Sequence, residues 1–316
     1  MLMHVFSRGG KSGLSILIYH RVLAHKDPLM PGEIDCADFD EQMGLLKASC
    51  NVLSLTAAVG HLRAGTLPPR AACITFDDGY ADNVEQALPI LQRHGLQATF
   101  FVATGFLNGG RMWNDTVIEL VRAAPGPMFD ASAIGLGQHA VNTPAQRARA
   151  VPALIGKLKY LPLEQRAAQV AQLATALDLP LPTTLMMSDE QVRQLHRAGM
   201  EIGGHTVNHP ILSRLTPEQA RIEMAAGKAT LEAVIGAPVR LFAYPNGKPK
   251  EDYHAGHVAM ARELGFEGAV STAWGAQKGE ADVFQLPRFA PWDRSPLRFV
   301  LRLVRNLGQR AERAGV

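Results

Sequence analysis

Two stretches of this chain carry residue types able to do chemistry together. The first is Asp77-Asp78, two adjacent carboxylates delivered by Ile74-Thr75-Phe76 and followed by Gly79-Tyr80. A β-favouring run that ends in two acids has the pattern of a buried strand leaving a sheet at a cleft. Neighbouring carboxylates disfavour each other's ionisation, so the pair calls for a cation beside it. The second stretch is Gly203 to Pro210, where His205 and His209 stand four apart after another short strand, a spacing that lets both imidazoles reach one ion. We therefore expect Asp78, His205 and His209 to bind a divalent metal, zinc before others, with Asp77 left free as a base. The competing readings are two loop histidines with ordinary hydrogen bonds, and an aspartate capping a helix that begins near Tyr80.

Thr75-Phe76-Asp77-Asp78-Gly79-Tyr80 together with His205-Thr206-x-x-His209 resembles the first two signature motifs of the polysaccharide deacetylases, metal-dependent esterases that remove N-acetyl groups from amino-sugar polymers. The resemblance runs from about Leu14 to about Arg288, leaving the segment between Trp113 and Met187 unmatched. It implies that Asp77 is the general base and Asp78 the ligand. The family's third motif, Arg-x-Pro-Tyr, reads Ala243-Tyr244-Pro245-Asn246 here, so the arginine and the tyrosine are both replaced. A backbone N–H at Asn246 survives that change as an oxyanion donor. Arg288, in Leu286-Pro287-Arg288, is the expected substitute for the arginine that orients Asp77; otherwise it is a surface residue. The same late stretch lacks the histidine of the family's Leu-x-His motif. Leu17-Ile18-Tyr19-His20 looks like that motif moved to the start of the chain, as in the circularly permuted subgroup typified by deacetylases of biofilm poly-N-acetylglucosamine. His20 is then the expected general acid, or else a structural histidine.

Trp113, Trp274 and Trp292 are candidates for stacking on sugar faces, Trp113 first among them and core packing the alternative for each. Tyr244 is a further candidate contact to substrate. The function implied is hydrolysis of an N-acetylated saccharide to acetate and a free amine. Two alternatives stand beside it. One is a catalytically silent carbohydrate- or membrane-binding relative, suggested by the altered third motif and the basic final helix. The other is a cyclic-amide (ureide) hydrolase sharing the barrel without the metal, against which the intact Asp78, His205 and His209 count.

Bulk properties are compatible with this. The 316 residues are 47% hydrophobic with a net charge of +3, an ordinary globular composition that gives no sign of nucleic-acid binding. Cys36, Cys50 and Cys73 form no C-x-x-C pair and leave an odd thiol, which suits a reducing compartment. Met1 to Lys11 is basic, but the apolar run after it, Leu14 to Tyr19, is too short for a signal peptide, and no run of about 18 apolar residues exists for a spanning helix. Cytoplasmic location is expected. Nothing in the sequence speaks to oligomeric state.

The elements that must position the site read as alternating strands and helices. Strands are expected at Leu14–Tyr19, Asn51–Leu55, Ala72–Phe76, Ala98–Val102, Met200–Gly203, Val239–Ala243, Gly268–Ser271 and Phe284–Leu286, with Asp38 capping the first helix. Ser188-x-x-Gln191 and Thr216-Pro217-Glu218-Gln219 are helix starts of the capping-box kind. This alternation predicts one α/β domain over residues 1–316, a distorted (β/α) barrel of about seven parallel strands with its site at their carboxyl ends. A helical insertion is expected at about 111–185. An amphipathic helix at about 295–311 has Leu297, Val300, Leu301, Val304 and Leu307 on one side and arginines on the other. It suits packing on the barrel exterior, with contact to an anionic membrane the alternative.

Overall fold

The computed structural model describes residues 13–278, 282–293, 295–309 and 311–315. The basic stretch at Met1 to Lys11 lies outside the described residues. The chain opens with β1 (Ser15–Tyr19), a short parallel pair β2 (Val22–Leu23) and β3 (Ile34–Asp35), and helix α1 (Cys36–Ser49). There follow β4 (Asn51–Val52), α2 (Leu55–Ala64), β5 (Ala71–Phe76), a π-helical turn Asn83–Ala87 running into α3 (Leu88–His94), and β6 (Thr99–Val102). Next come α4 (Trp113–Ala123), the antiparallel hairpin β7 (Met128–Asp130) and β8 (Gln138–Ala140), α5 (Pro144–Leu158) and α6 (Leu163–Leu177). The strand and helix rhythm then resumes with α7 (Asp189–Arg197), β9 (Glu201–Gly204), α8 (Pro217–Ile235), β10 (Leu241–Ala243), α9 (Ala255–Glu263), β11 (Gly268–Val270) and α10 (Pro296–Gly308).

One sheet runs β1-β5-β6-β9-β10-β11 with every pairing parallel, and β4 adds to β5 outside that path. The curl is completed by isolated parallel bridges, Val270 to Leu286 and Leu17 to Phe289, so the segment expected as a last strand at Phe284–Leu286 links β11 back to β1 without forming a ladder. This is the α/β distorted barrel the alternation predicts. Register levels the exits: Tyr19 pairs with Phe76 and Val102 with Gly204, so His20, Asp77 and His205 leave the sheet at the same rim. Strand alternation then sorts the faces. Tyr19, Phe76 and Phe100 stack in a row at 5.4 and 4.7 Å between ring centroids, on the side away from Thr75.

Several local expectations need correction. Asp35, not Asp38, caps α1; its side chain accepts from the Asp38 N–H, because the chain stays extended in β3 as far as Asp35. The second strand stops at Val52, since Ser54 caps α2 and turns Leu55 into its first residue. The two capping boxes, Ser188 with Gln191 and Thr216 with Gln219, form as the sequence indicates. The insertion is less purely helical than expected, for it contains the β7–β8 hairpin. It has an apolar cluster of its own, around Val121, Phe129, Leu154 and Leu173. Tyr80, Met112 and Met186 form a small seam between this unit and the barrel. At the other end, α10 buries Phe299 and Leu303 against α1 and β1 while Leu297 and Leu301 face solvent. No helix among the described residues is long and apolar enough to cross a membrane.

Candidate active site

Thr75 and Asp77 share a face of β5 by alternation, and one guanidinium satisfies both. Arg288 donates to Asp77 Oδ1 at 2.6 Å and Oδ2 at 2.7 Å, to Thr75 Oγ1 at 3.2 Å, and through Nε to the Ser271 carbonyl at 3.0 Å. Arg288 is 1% exposed and Asp77 3%. Such a buried bidentate fork fixes the carboxylate plane as well as its charge. Burial acts to raise the Asp77 pKa, yet Arg288 and His205 outweigh it and hold the group below the usual carboxylate range. Asp77 is thus an oriented, ionised carboxylate, and it caps no helix.

Asp78 turns away from its neighbour because its backbone is left-handed, at φ 75°. Thr206 and His209, at φ 66° and 49°, and Asn246, at φ 58°, adopt the same region, so four non-glycine residues around one point are held in a conformation side chains rarely adopt. The Asp78, His205 and His209 ligand atoms lie within 4.8 Å of one another, a group able to hold a metal ion. Asp78 Oδ1 stands 3.5 Å from His205 Nε2 and 3.4 Å from His209 Nε2. His205 Nδ1 lies 2.8 Å from the Ala243 carbonyl, which can only accept, so Nδ1 carries a proton and Nε2 is the nitrogen turned toward Asp78. Burial pushes His209 down to about 4, leaving a neutral imidazole near pH 7, whereas for His205 burial is outweighed by Asp77 and Asp78 and the value rises. Burial is likewise overcome at Asp78, where His209 and His205 hold the carboxyl well below its ordinary range. Asp78 Oδ1 is buried with no hydrogen-bond partner. An orphaned carboxylate oxygen facing two imidazole nitrogens is the donor set a divalent ion takes up, and these residues fit one.

His20 follows β1 directly and sits at the lip of the cleft, exposed on its side chain. It borders two cavities. One, of about 300 Å³, is lined by Asp78, His209, Asn246 and Trp113 among others; the other, of about 260 Å³, by Arg288, Trp274 and Trp292. Asp77, Asp78, His20, His205, His209, Arg288, Asn246 and Trp113 are therefore brought to one region. Tyr244 is not. It is wholly buried, its ring lies 4.0 Å from that of Tyr253 in parallel, and its hydroxyl donates to the Phe284 carbonyl, so it cannot contact substrate.

The structure adds residues that the sequence reading passed over. Glu223 on α8 accepts from the Val207 and Asn208 N–H groups at 2.9 and 2.8 Å and from Asn208 Nδ2 at 2.7 Å, bracing the turn between the two histidines. A Cβ on Gly227, one helical turn further along α8, would meet the Thr206 carbonyl carbon and oxygen at 2.8 Å, so only glycine lets the helix approach that turn. On the other side Asn83 Nδ2 donates to the His20 carbonyl at 2.9 Å, and Asp82 accepts from Arg21 Nε at 2.7 Å and from the Val22 N–H at 3.2 Å. A buried Asp115 accepts from the Tyr80 hydroxyl at 3.3 Å. Glutamates and glycines on a helix carry no local mark of such roles. The short gap from Asp78 to Asp82-Asn83 was the one usable signal.

Comparison with known proteins agrees with this geometry. The family model for polysaccharide deacetylase matches residues 64–269. YxkH of Bacillus subtilis (strain 168), whose name places it among the polysaccharide deacetylases, is 21% identical over 277 residues, spanning 87% of this chain and 70% of YxkH. Among solved structures, the Streptococcus pyogenes deacetylase PplD in complex with acetate superposes with a TM-score of 0.63 at 19% identity, covering 93% of this chain and 99% of PplD. IcaB from Ammonifex degensii gives 0.62 at 19% identity, covering 94% of this chain and 97% of IcaB. At that identity the two structures speak to the fold, while the family match covers well over half the chain and includes both Asp77-Asp78 and His205-x-x-x-His209. This chain belongs to the polysaccharide deacetylase family and is a hydrolase of that kind.

Proposed function

We propose that the protein removes N-acetyl groups from an amino-sugar saccharide with the help of a divalent ion, zinc, held by Asp78, His205 and His209. The observation that carries this is the buried, unpartnered Oδ1 of Asp78 between two imidazole nitrogens. Bound there, the ion would supply Lewis acidity, polarising the acetamide carbonyl and making water a stronger acid. The chain's own groups supply the rest. Asp77, held ionised and in plane by Arg288, accepts the proton of the attacking water. The Asn246 N–H donates to the oxygen that gains charge. His20, at the cleft lip, protonates the departing amine, the role the permuted subgroup gives to a histidine from the first strand. Trp113 offers a flat apolar face to a sugar ring in the cavity shared with Asp78.

Acetate release from N-acetylglucosamine oligomers by the zinc-loaded protein tests the reading. Release that depends on Asp77 supports it; stoichiometric zinc with no release points to a silent saccharide-binding relative, and hydrolysis of a cyclic ureide instead points to the metal-independent alternative. One surface feature bears on a further partner. Leu297 and Leu301 are 65% and 46% exposed on α10 beside the arginines 298 and 305, an apolar stripe with a basic flank suited to anionic lipid. Co-flotation with phosphatidylglycerol vesicles, lost on Leu301→Glu, is the expected result.

A further inference from the structure

The side of the cleft built by the insertion holds a cation for which the hydrolysis has no use. Arg166 on α6 is 5% exposed. Its guanidinium carbon stands 4.8 Å from the centroid of the Trp113 ring, and one nitrogen donates to the Lys159 carbonyl at 3.3 Å. No acid among the described residues pairs with it; burial alone acts on its pKa and lowers it. A guanidinium has five N–H donors and a strong need of a counter-charge once out of water, so this arrangement is unfinished. Arg166 and Lys159 line the same cavity of about 300 Å³ as Asp78, His209 and Trp113. The guanidinium and two of the metal-binding residues therefore border one and the same space.

We propose that Arg166, seconded by Lys159, is an anion subsite: the saccharide carries an oxyanion, phosphate or carboxylate, set away from the acetamide, and this group supplies the charge Arg166 lacks. The inference rests on the deacetylase reading above and narrows its substrate class. The planar fork of an arginine matches the paired oxygens of either group, and the Trp113 face beneath it keeps the fork oriented. Two acids, Glu33 and Asp115, also face this cavity. Burial raises both, Asp115 to about 7, so near neutral pH Asp115 opposes an incoming anion less than an exposed aspartate would. Arg166 belongs to the insertion and to no barrel strand, so it selects substrate and takes no part in the bond change.

The test compares zinc-loaded wild type on an N-acetylglucosamine oligomer, the same oligomer with a terminal phosphate, and the same oligomer with a terminal carboxylate. We expect at least one anionic substrate to exceed the neutral one in kcat/KM by about tenfold or more, mostly through KM, with that preference lost in Arg166→Gln. Which of the two wins identifies the source of the charge. Equal kcat/KM on all three, or an Arg166→Gln variant that slows all three in proportion, would overturn the proposal and leave the deacetylase reading intact. Should Arg166→Gln melt well below wild type, Lys159→Gln decides, since it leaves the Trp113 stack in place: a partial loss of preference is expected, and an unchanged preference counts against the subsite. If no substrate releases acetate, the deacetylase reading has failed on its own. Calorimetry with inorganic phosphate on the same zinc-loaded proteins then still reads the subsite, with binding about tenfold weaker in Arg166→Gln expected and equal binding contradicting it.

Discussion

Arg288 grips both carboxylate oxygens of Asp77, at 2.6 and 2.7 Å, across 211 residues of chain. The contact exists because the segment holding Arg288 bridges to β1, and β1 lies beside β5, the strand that Asp77 directly follows. It also answers the loss of the arginine from the third motif, with Ala243 in its place.

Replacing Arg288 by Lys keeps a positive charge but not the fork. Turnover is expected to fall by on the order of a hundredfold while one zinc per chain is retained. In Arg288→Met the buried Asp77 loses its fork and keeps only His205, at 3.9 Å, so stability drops by about 3–5 kcal/mol, a loss that Asp77→Asn in the same chain relieves. Urea titrations of the two single variants and the double variant check this; additive losses would show the pair to be uncoupled.

In the proposed mechanism His20 is the acid for the leaving amine and lies outside the Asp78, His205 and His209 group, so His20→Ala separates chemistry from metal binding. A fall in kcat of about 10²–10⁴ on the amide is expected, with unchanged zinc content and a much smaller fall on an aryl acetate, whose leaving group needs no proton. Similar losses on both substrates would show that His20 does something else.

The turn between the histidines leans on α8. Glu223→Gln should weaken zinc affinity by about 10–100-fold without unfolding the chain, as loss of a group that orients ligands does. Gly227→Ala drives a methyl into the Thr206 backbone, so it should weaken zinc affinity as well and cost about 1–3 kcal/mol of stability. Zinc titration against a chromogenic chelator reads affinity, and thermal melting reads the rest.

Asp115 makes stability depend on pH. Burial pushes it up to about 7, against the pull of Arg21 and with the Asp78 charge adding to the rise. Because the folded-state value lies above the unfolded one of 3.8, the neutral carboxyl stabilises the fold fully below pH 3.8, and that contribution is lost as pH rises through about 7. Asp115→Asn keeps an acceptor for the Tyr80 hydroxyl and does not titrate. Wild type should therefore lose ground to Asp115→Asn by on the order of 1 kcal/mol per unit between those values. Denaturation midpoints that run in parallel across that range would contradict this.

The legible part of the molecule was the part written locally. Asp77-Asp78 and His205-x-x-x-His209 announce themselves by type and spacing, and the capping boxes at Ser188 and Thr216 mark their helices within four residues. Arg288 was legible as a candidate because it follows a late strand and the third motif lacks its arginine; the ring topology, with its first and last strands adjoining, pointed to His20. Tyr244 misled because its place in a motif says nothing about its face: alternation puts it with Phe242, 5.3 Å away, in the packed layer, while the carbonyl of the intervening Ala243 does the work at His205. The β7–β8 hairpin was missed because three-residue strands leave too few positions to show a period of two. Glu223, Gly227 and Arg166 are ordinary helix positions until the fold sets them against the site.

The most direct test of the whole account is X-ray absorption at the zinc edge on the stoichiometrically loaded protein. It should show two imidazole nitrogens at about 2.0–2.1 Å and carboxylate oxygen at about 2.0–2.2 Å, with the imidazole signal falling by half in His209→Ala. A shell without imidazole, or one that His209→Ala and Asp78→Ala leave unchanged, would mean that Asp78, His205 and His209 are not the metal site.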